Sequence, residues 1–173
     1  MFTDFDRITQ ILHVSADVLD QRVVQQVTNW NGPVSMTIVL RSIQQYRCVI
    51  TFLKKIRKES TLVAHHLRAH IIFAERLSTN CTIPSMLPVS SIDFDCEDRE
   101  ATIDQIARYP VNLARNVARM FSSSKYIIIT DYEHLFSEGF EAKVRSVASR
   151  RLAERPQTML AYRIFEVDDN VEV

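Results

Sequence analysis

Glycine is scarce in this sequence, since the 173 residues include only Gly32 and Gly139. The phosphate-binding loops of P-loop and dinucleotide-binding enzymes need several glycines close together, so that backbone N–H groups can approach a phosphate. Neither loop can be written anywhere in this chain. Two large classes of nucleotide-binding enzyme are therefore excluded.

Cysteine is also rare, and Cys48, Cys81 and Cys96 are spaced too widely for a zinc module and form no CxxC pair. Three unpaired thiols are the expected state, and a Cys81–Cys96 bridge is the alternative in an oxidising compartment. Asn80 begins the triplet Asn-Cys-Thr, a glycosylation sequon that has meaning only in a secretory lumen.

Excess charge of one sign and long apolar runs are absent too. The 21 basic and 21 acidic side chains give a formal net charge of zero, so no nucleic-acid partner is expected. No apolar run reaches the roughly 18 residues that a membrane span needs. The first ten residues carry acids and lack the basic and apolar regions of a signal peptide. We therefore expect no membrane segment, anchor or signal peptide in the given chain.

What the sequence does contain is an alternation of strand and helix patterns. Strands are predicted over residues 7–14, 34–40, 61–75 (as one strand or two), 126–130 and 158–165. Helices are predicted over 17–29, 42–58, 110–121 and 138–154, with Asp17, Ser42 and Ser137 as caps. Residues 77–107 show no clear period and are expected to form a long loop. This order favours an α/β layered sheet in a single domain.

The strand predicted over 126–130 leads directly into two acidic residues. Its β-branched, apolar run, Tyr126 to Thr130, suits a central strand covered on both faces. Asp131 and Glu133 follow at its carboxyl end, where α/β proteins bind their ligands. Carboxylates there suit a hard divalent cation such as Mn²⁺ or Mg²⁺, which also binds phosphate oxygens. A turn or a helix cap is the alternative reading of the same pattern.

Four further motifs surround the acidic pair: WNGPVS at 30–35, YPVNLARNVAR at 109–119, SEG at 137–139 and AYRIFE at 161–166. Together with the acids they resemble glycosyltransferase family 49. That family includes the LARGE-type xylosyl/glucuronyltransferases and the β-1,4-glucuronyltransferase of dystroglycan glycan synthesis. Its members are similar in a W-x-GP-(I/V)-S segment, a YP-(I/V)-N-xx-RN-xA block and a D-x-D after the next strand. The resemblance covers nearly the whole chain in the same order.

The resemblance implies a GT-A type nucleotide-sugar-binding fold, an α/β layered sheet with helices on both faces. It implies an inverting glycosyltransferase of the Golgi lumen or membrane that moves a sugar, glucuronate foremost, from a UDP-sugar to a glycan acceptor, as in protein O-mannosyl glycan synthesis. Asp131 and Glu133 would bind Mn²⁺ or Mg²⁺, and Asp131, Arg115 and Asn116 would bind the nucleotide. For Asn116 we prefer a role in holding the motif strand, on the expectation that its helix packs beside that strand.

The chain departs from the family pattern in two ways. Glu133 stands where the family commonly has Asp, and its extra methylene moves the carboxylate by ~1.5 Å. Family catalytic domains also continue well beyond the segment matching 158–165, where the acceptor pocket, the catalytic base and a further metal ligand are expected. The resemblance therefore predicts one partial GT-A-like domain over residues 1–173, truncated at its C-terminus, with no catalytic base identified. The alternative is a truncated, non-catalytic relative that acts as a binding or structural partner.

Overall fold

A computed structural model describes residues 4–74 and 102–166 of the chain. Its four strands are all parallel and form one sheet in the order β3-β2-β1-β4. The strands are β1 (Ile8–Ser15), β2 (Val34–Leu40), β3 (Leu67–Phe73) and β4 (Tyr126–Ile129). The described α-helices are α1 (Arg22–Trp30), α2 (Ile43–Glu59), α3 (Thr61–His66), α4 (Ile103–Ala107), α5 (Val111–Met120) and α6 (Phe140–Glu154). Short 3₁₀ turns occupy Asp4–Asp6 and Ala16–Val18.

Helices cover both faces of the sheet, and side-chain alternation along β2 shows how. Met36 and Ile38 point into the apolar core that α1, α2 and α6 share on one face. Ser35 points to the opposite face, where its hydroxyl donates to the carbonyl of Ala118 on α5 at 2.7 Å. Every residue of β2 is buried as a result. The predicted α/β layered sheet is confirmed, and it is consistent with a GT-A type fold.

One of the three predicted helix caps is confirmed. The Ser42 hydroxyl accepts a hydrogen bond from the backbone N–H of Gln45 at 3.4 Å and starts α2. Asp17 does not start α1, because its carboxylate contacts the Ser15 hydroxyl and pairs with Arg41 at 3.3 Å. Ser137 does not start α6 either. That helix follows Gly139, whose left-handed backbone (φ 67°) forms the N-cap.

The prediction of strand over residues 61–75 is half right. Thr61–His66 form α3, and the strand occupies only Leu67–Phe73. The helix begins because the Ser60 hydroxyl accepts the N–H of Val63 at 3.3 Å. This side-chain cap prevails over the β propensity of the residues that follow it.

The position predicted for β4 is wrong, because β4 lies at an edge of the sheet that the described residues form. Its residues are only partly buried, and Ile129 is 46% exposed. An apolar, β-branched run does not reveal which neighbours a strand will have, so a central and an edge strand look alike in sequence. The last predicted strand is also wrong. Residues 158–165 are exposed, have no regular secondary structure and pair with no described strand.

Cys48 on α2 is disulfide-bonded, so the expectation of three unpaired thiols is wrong. Cys81, Cys96 and the sequon at Asn80 lie outside the described residues, as does most of the loop predicted over 77–107. The described end of that loop was predicted wrongly, because Ile103–Ala107 form α4. Within 4–74 and 102–166, no helix has the length and apolar character needed to cross a membrane.

Candidate active site

The order of the strands reverses between β1 and β4. The chain proceeds from β1 to β2 to β3 on one side and then adds β4 on the other side of β1. In open parallel sheets such a reversal leaves a crevice outside the carboxyl ends of the two strands, where ligands bind. Asp131 and Glu133 follow β4, and Ser15 ends β1. The acidic pair therefore lies at this crevice.

The two acids belong to a tight turn, residues 131–134, which we call the acid turn. It is closed by a hydrogen bond from the N–H of His134 to the carbonyl of Asp131 at 3.2 Å. Tyr132 points inward and is 4% exposed, whereas Glu133 is exposed and the Asp131 side chain is 49% exposed. The inward tyrosine leaves both carboxylates on the solvent side of the turn.

Arg115 on α5 is the direct partner of Asp131. Its Nη2 donates to Asp131 Oδ1 at 2.8 Å, and both side chains are more than a third exposed. An ion pair of this exposure stabilises a fold by at most about 1 kcal/mol. Its importance is positional, because Oδ1 is occupied while Oδ2 has no hydrogen-bond partner among the described residues.

A partly buried histidine faces the same carboxylate from β1. His13 Nδ1 lies 3.0 Å from the Tyr109 hydroxyl, and its Nε2 lies 4.0 Å from Asp131 Oδ1. That Nε2 atom is buried and has no hydrogen-bond partner in the described part of the chain. Burial and the Arg115 charge lower the pKa of His13, while the charges of Asp131 and Glu133 act in the opposite direction. Both carboxylates thus lie within electrostatic reach of one neutral imidazole.

The acid turn is anchored to the start of α1 by Tyr132. The Tyr132 hydroxyl donates to Asp20 Oδ1 at 2.9 Å. Burial acts to raise the pKa of the Asp20 carboxyl, but hydrogen bonds from Arg22 and Tyr132 outweigh it and hold that pKa below its ordinary value. Burial in turn raises the pKa of Tyr132. The pair remains a neutral phenol that donates to an ionised carboxylate.

A cavity of about 240 Å³ adjoins the crevice at the carboxyl ends of β1, β2 and β3. Its polar lining includes Ser15, Asp17, Arg41 and Tyr109. Drug-sized ligands occupy about 300–1,000 Å³, so this volume suits one ring system and not a whole nucleotide-sugar. Arg41 Nη2 is buried there, paired with Asp17 at 3.3 Å but without a hydrogen bond to any described residue.

The donor set of the acid turn suits a hard cation that is shared with a ligand. Among the described residues, no three His, Cys, Asp or Glu side chains converge into a protein-only metal cage. The Glu133 carboxylate is exposed, and Asp131 has one oxygen without a hydrogen bond to a described residue. Mg²⁺ in enzymes typically takes one or two carboxylates and fills its other positions with phosphate and water oxygens. The residues present therefore fit such an ion.

The structure brings three of the four predicted site residues together, namely Asp131, Glu133 and Arg115. The Asn116 side chain is exposed and forms no hydrogen bond with the described residues. Its helix packs mainly on β1 and β2, so the contact with the acid turn comes from Arg115. The roles of all four toward a metal or a nucleotide stay predictions.

Residues on β1 and α1 complete the site, and the sequence reasoning missed them. These are His13, Asp20, Gln10 and Gln26. A signal for Gln26 was present in the sequence. Gln26 lies beside Val27 in the buried stripe of α1, where a polar side chain needs a specific partner.

In a comparison with known protein families, residues 7–173 match the family described as glycosyl-transferase for dystroglycan. A search of curated proteins gives no match. The family match supports a glycosyltransferase activity, with a sugar donor and a glycan acceptor as substrates, and a place in the secretory pathway. Because it covers nearly the whole chain, this protein belongs to glycosyltransferase family 49, as its motifs suggested.

Proposed function

We propose that this domain transfers a sugar, with glucuronate the foremost candidate, from a UDP-sugar to a glycan acceptor in a metal-dependent, inverting reaction. The observation that carries the proposal is the position of Asp131 and Glu133. Both follow β4 at the strand reversal, on the solvent side of a turn that is anchored from within. Family membership supplies the class of reaction, and the acids supply the reason to expect a cation.

Asp131 and Glu133 would hold Mn²⁺ or Mg²⁺, whose charge stabilises the diphosphate that leaves when the sugar is transferred. Arg115 holds Asp131 through Oδ1, which leaves Oδ2 for the ion. The same guanidinium carries further N–H groups and would bind a phosphate oxygen of the donor. Asn116, which follows Arg115 on α5, would contact the nucleotide.

The cavity beside the crevice would receive the base of the nucleotide. Its walls combine apolar side chains, Val18 and Pro110 among them, with the polar groups of Asp17 and Arg41. Such a mixture suits a planar ring with hydrogen-bonding edges. Phosphates that leave this cavity toward β4 would meet Arg115 and the acid turn.

The proposed place of action is the Golgi lumen. Protein disulfides persist in oxidising compartments, and Cys48 is disulfide-bonded. In that lumen the sequon at Asn80 would be a substrate for N-glycosylation. Mass spectrometry of the protein secreted from animal cells, before and after glycosidase treatment, tests this modification.

Thermal unfolding with UDP and Mn²⁺ tests the binding part of the proposal. We expect UDP and Mn²⁺ together to raise the melting temperature of the wild type more than either alone. Asp131→Asn and Glu133→Gln should remove the metal-dependent part. Glu59→Gln, which neutralises an exposed acid at the end of α2, is the matched control and should leave it intact. A UDP effect that is the same with and without metal contradicts the proposal.

Release of UDP tests turnover separately. The protein would be incubated with Mn²⁺, an acceptor glycan and either UDP-glucuronate or UDP-xylose. We expect release above the Asp131→Asn background, and the donor with the higher kcat/KM identifies the sugar. Metal-dependent UDP binding without release of UDP would instead support the non-catalytic alternative, a relative that serves as a binding partner.

A further inference from the structure

Two buried glutamines lie directly beneath the acid turn. Gln26 on α1 is 1% exposed and Gln10 on β1 is fully buried. A buried amide destabilises a fold unless it is hydrogen-bonded, and an apolar side chain of similar size would fill the same space. The partners of these two amides therefore indicate their role.

The amide nitrogen of Gln26 contacts the backbone of the acid turn twice. Its Nε2 donates to the carbonyl of Tyr132 and to the carbonyl of His134, each at 2.7 Å. Glu133 lies between these two residues. Both N–H bonds of one amide are thus used to hold the carbonyls of the two residues on either side of a predicted metal ligand.

Gln10 extends the contact to the residue before Asp131. Two carbonyls can only accept hydrogen bonds, so the NH₂ group of Gln26 must face them and its Oε1 must face Gln10. Gln10 Nε2 donates to that oxygen at 3.0 Å and to Thr130 Oγ1 at 3.1 Å. The hydrogen bonds donated by the two glutamines consequently connect Thr130 to the far end of the acid turn.

We propose that Gln26, supported by Gln10, is the positioning residue for the acidic pair. It fixes the backbone of the acid turn before a ligand binds, so that Asp131 and Glu133 are already oriented toward a divalent cation. This inference rests on the proposed metal role of the two acids. The Tyr132–Asp20 hydrogen bond holds the same turn to the segment just before α1 through a side chain. Gln26 adds the backbone contacts, which direct both neighbouring side chains.

Ordered outer partners of this kind make a large difference to metal affinity, because their loss typically weakens binding by 10–100-fold. Gln26→Met keeps the size of the side chain but removes both donors. Gln26→Glu keeps the acceptor for Gln10 but turns a carboxylate oxygen toward the two carbonyls. Val27→Ala is the matched control, since it opens a cavity on the same helix, where Val27 is fully buried in the apolar core.

Two measurements test the inference on the folded variants. The first is hydrogen exchange of the acid turn in metal-free protein, with the β2 amides as an internal reference. The second is Mn²⁺ affinity in the presence of UDP, measured by calorimetry. We expect both Gln26 variants to exchange faster in the turn and to bind Mn²⁺ at least about tenfold more weakly. Val27→Ala should bind Mn²⁺ like the wild type and show no exchange change confined to the turn.

The outcomes separate this inference from the function on which it rests. If the wild type binds no Mn²⁺ with UDP, both the proposed function and the positioning role are overturned. If the wild type binds Mn²⁺ and both Gln26 variants match Val27→Ala, the positioning role alone is overturned and Gln26 only fills the core. Should Gln26→Met fail to fold, Gln26→Glu and Thr130→Val, which removes only the far acceptor of Gln10, give the same comparison.

Discussion

The carboxylate of Glu141 accepts the backbone N–H of Ile8 at 3.0 Å, although 133 residues separate them in the chain. Glu141 lies in the first turn of α6 and is fully buried. It also pairs with Arg7 at 2.9 Å and with Arg145 at 3.8 Å. Arg7 in turn donates to the carbonyl of Asn31, in the turn before β2. One carboxylate therefore joins the start of β1, the start of α6 and the α1–β2 turn.

Glu141→Ala should destabilise the fold by about 3–5 kcal/mol, because it leaves the partly buried Arg7 guanidinium and the N–H of Ile8 without this carboxylate. Glu141→Gln should cost less, since an amide oxygen can still accept from Ile8. Urea unfolding followed by circular dichroism measures both. The control is Glu138→Ala, an exposed acid three residues earlier. If Glu141→Ala and Glu138→Ala unfold at the same urea concentration, the buried network contributes nothing.

Gly32→Ala should also destabilise the fold, by about 1–3 kcal/mol, through overpacking. An added Cβ would lie 2.8 Å from Glu141 Cγ and 2.9 Å from Arg7 Nη2. Urea unfolding of Gly32→Ala in the wild type and in the Glu141→Ala background measures the coupling. The cost should be smaller in the second background, where one of the two crowding atoms, Glu141 Cγ, is gone. Equal costs would show that the destabilisation does not come from the Glu141 contact.

Gly139→Ala provides the contrast to Gly32→Ala. No atom lies within 4 Å of a Cβ added there, but the backbone has φ +67°. The expected cost of about 1 kcal/mol comes from the left-handed conformation alone. Gly139→Asn should recover part of it, because asparagine tolerates this region better than alanine.

The stability of the fold should decrease in mild acid because of His70. Burial lowers the pKa of His70 below its ordinary value of 6.5. Its Nε2 lies 3.0 Å from Ser35 Oγ, which gives its own hydrogen to Ala118 and so accepts from the ring. Arg68, His65 and His66 line the same cavity, and the Arg68 guanidinium is positively charged throughout this pH range.

A lowered pKa means that the unfolded chain binds more protons than the folded one. The contribution of His70 is therefore complete above about pH 6.5 and is lost as pH falls through the folded pKa. Urea unfolding from pH 7.5 to pH 5 measures this contribution. In His70→Gln, the slope of the unfolding free energy against pH should decrease by the equivalent of up to about one proton. A variant with the wild-type slope would show that the acid sensitivity has another source.

Arg115→Met should change metal and nucleotide affinity in opposite directions. Removing the guanidinium frees Asp131 Oδ1 and removes a repelling charge, so Mn²⁺ alone should bind more tightly, by about fivefold or less for a pair of this exposure. Affinity for UDP with saturating Mn²⁺ should fall, because a phosphate partner is lost. Calorimetry measures both, and Arg119→Met, exposed on the same helix, is the control. A fall in both affinities would assign Arg115 to holding the acid turn only.

Much of the architecture is readable from the sequence because it depends on local patterns. The bounds predicted for β2 agree with the structure, since turn residues limit an apolar run on one side and the Ser42 cap limits it on the other. Local sequence patterns also predict the position of the acids after β4 and of the helix that carries Arg115. Their chemical assignment came from the family resemblance, which the match over residues 7–173 confirms at the level of the family.

The remaining features depend on contacts between distant residues, which a single sequence does not contain. The position of β4 in the sheet depends on its pairing with β1, and residues 158–165 have strand-like composition without a described partner. Gln10 and Gln26 are sixteen positions apart in the sequence. Their role is evident only from their hydrogen bonds to each other, to Thr130 and to the acid turn. Glu141 looks like an ordinary helix-start acid until the fold buries it against Arg7.

The pairing of β1 with β4 has a consequence for synthesis of the protein. The strand that covers one side of β1 is made roughly 100 residues after β1 itself, about 5–20 s at ordinary elongation rates. During that interval the N–H and C=O groups on that side of β1, and the Ile8 N–H that awaits Glu141, have no native partner. We expect nascent chains arrested before residue 126 to be held by chaperones and to be sensitive to protease, because the first three strands cannot complete their sheet alone.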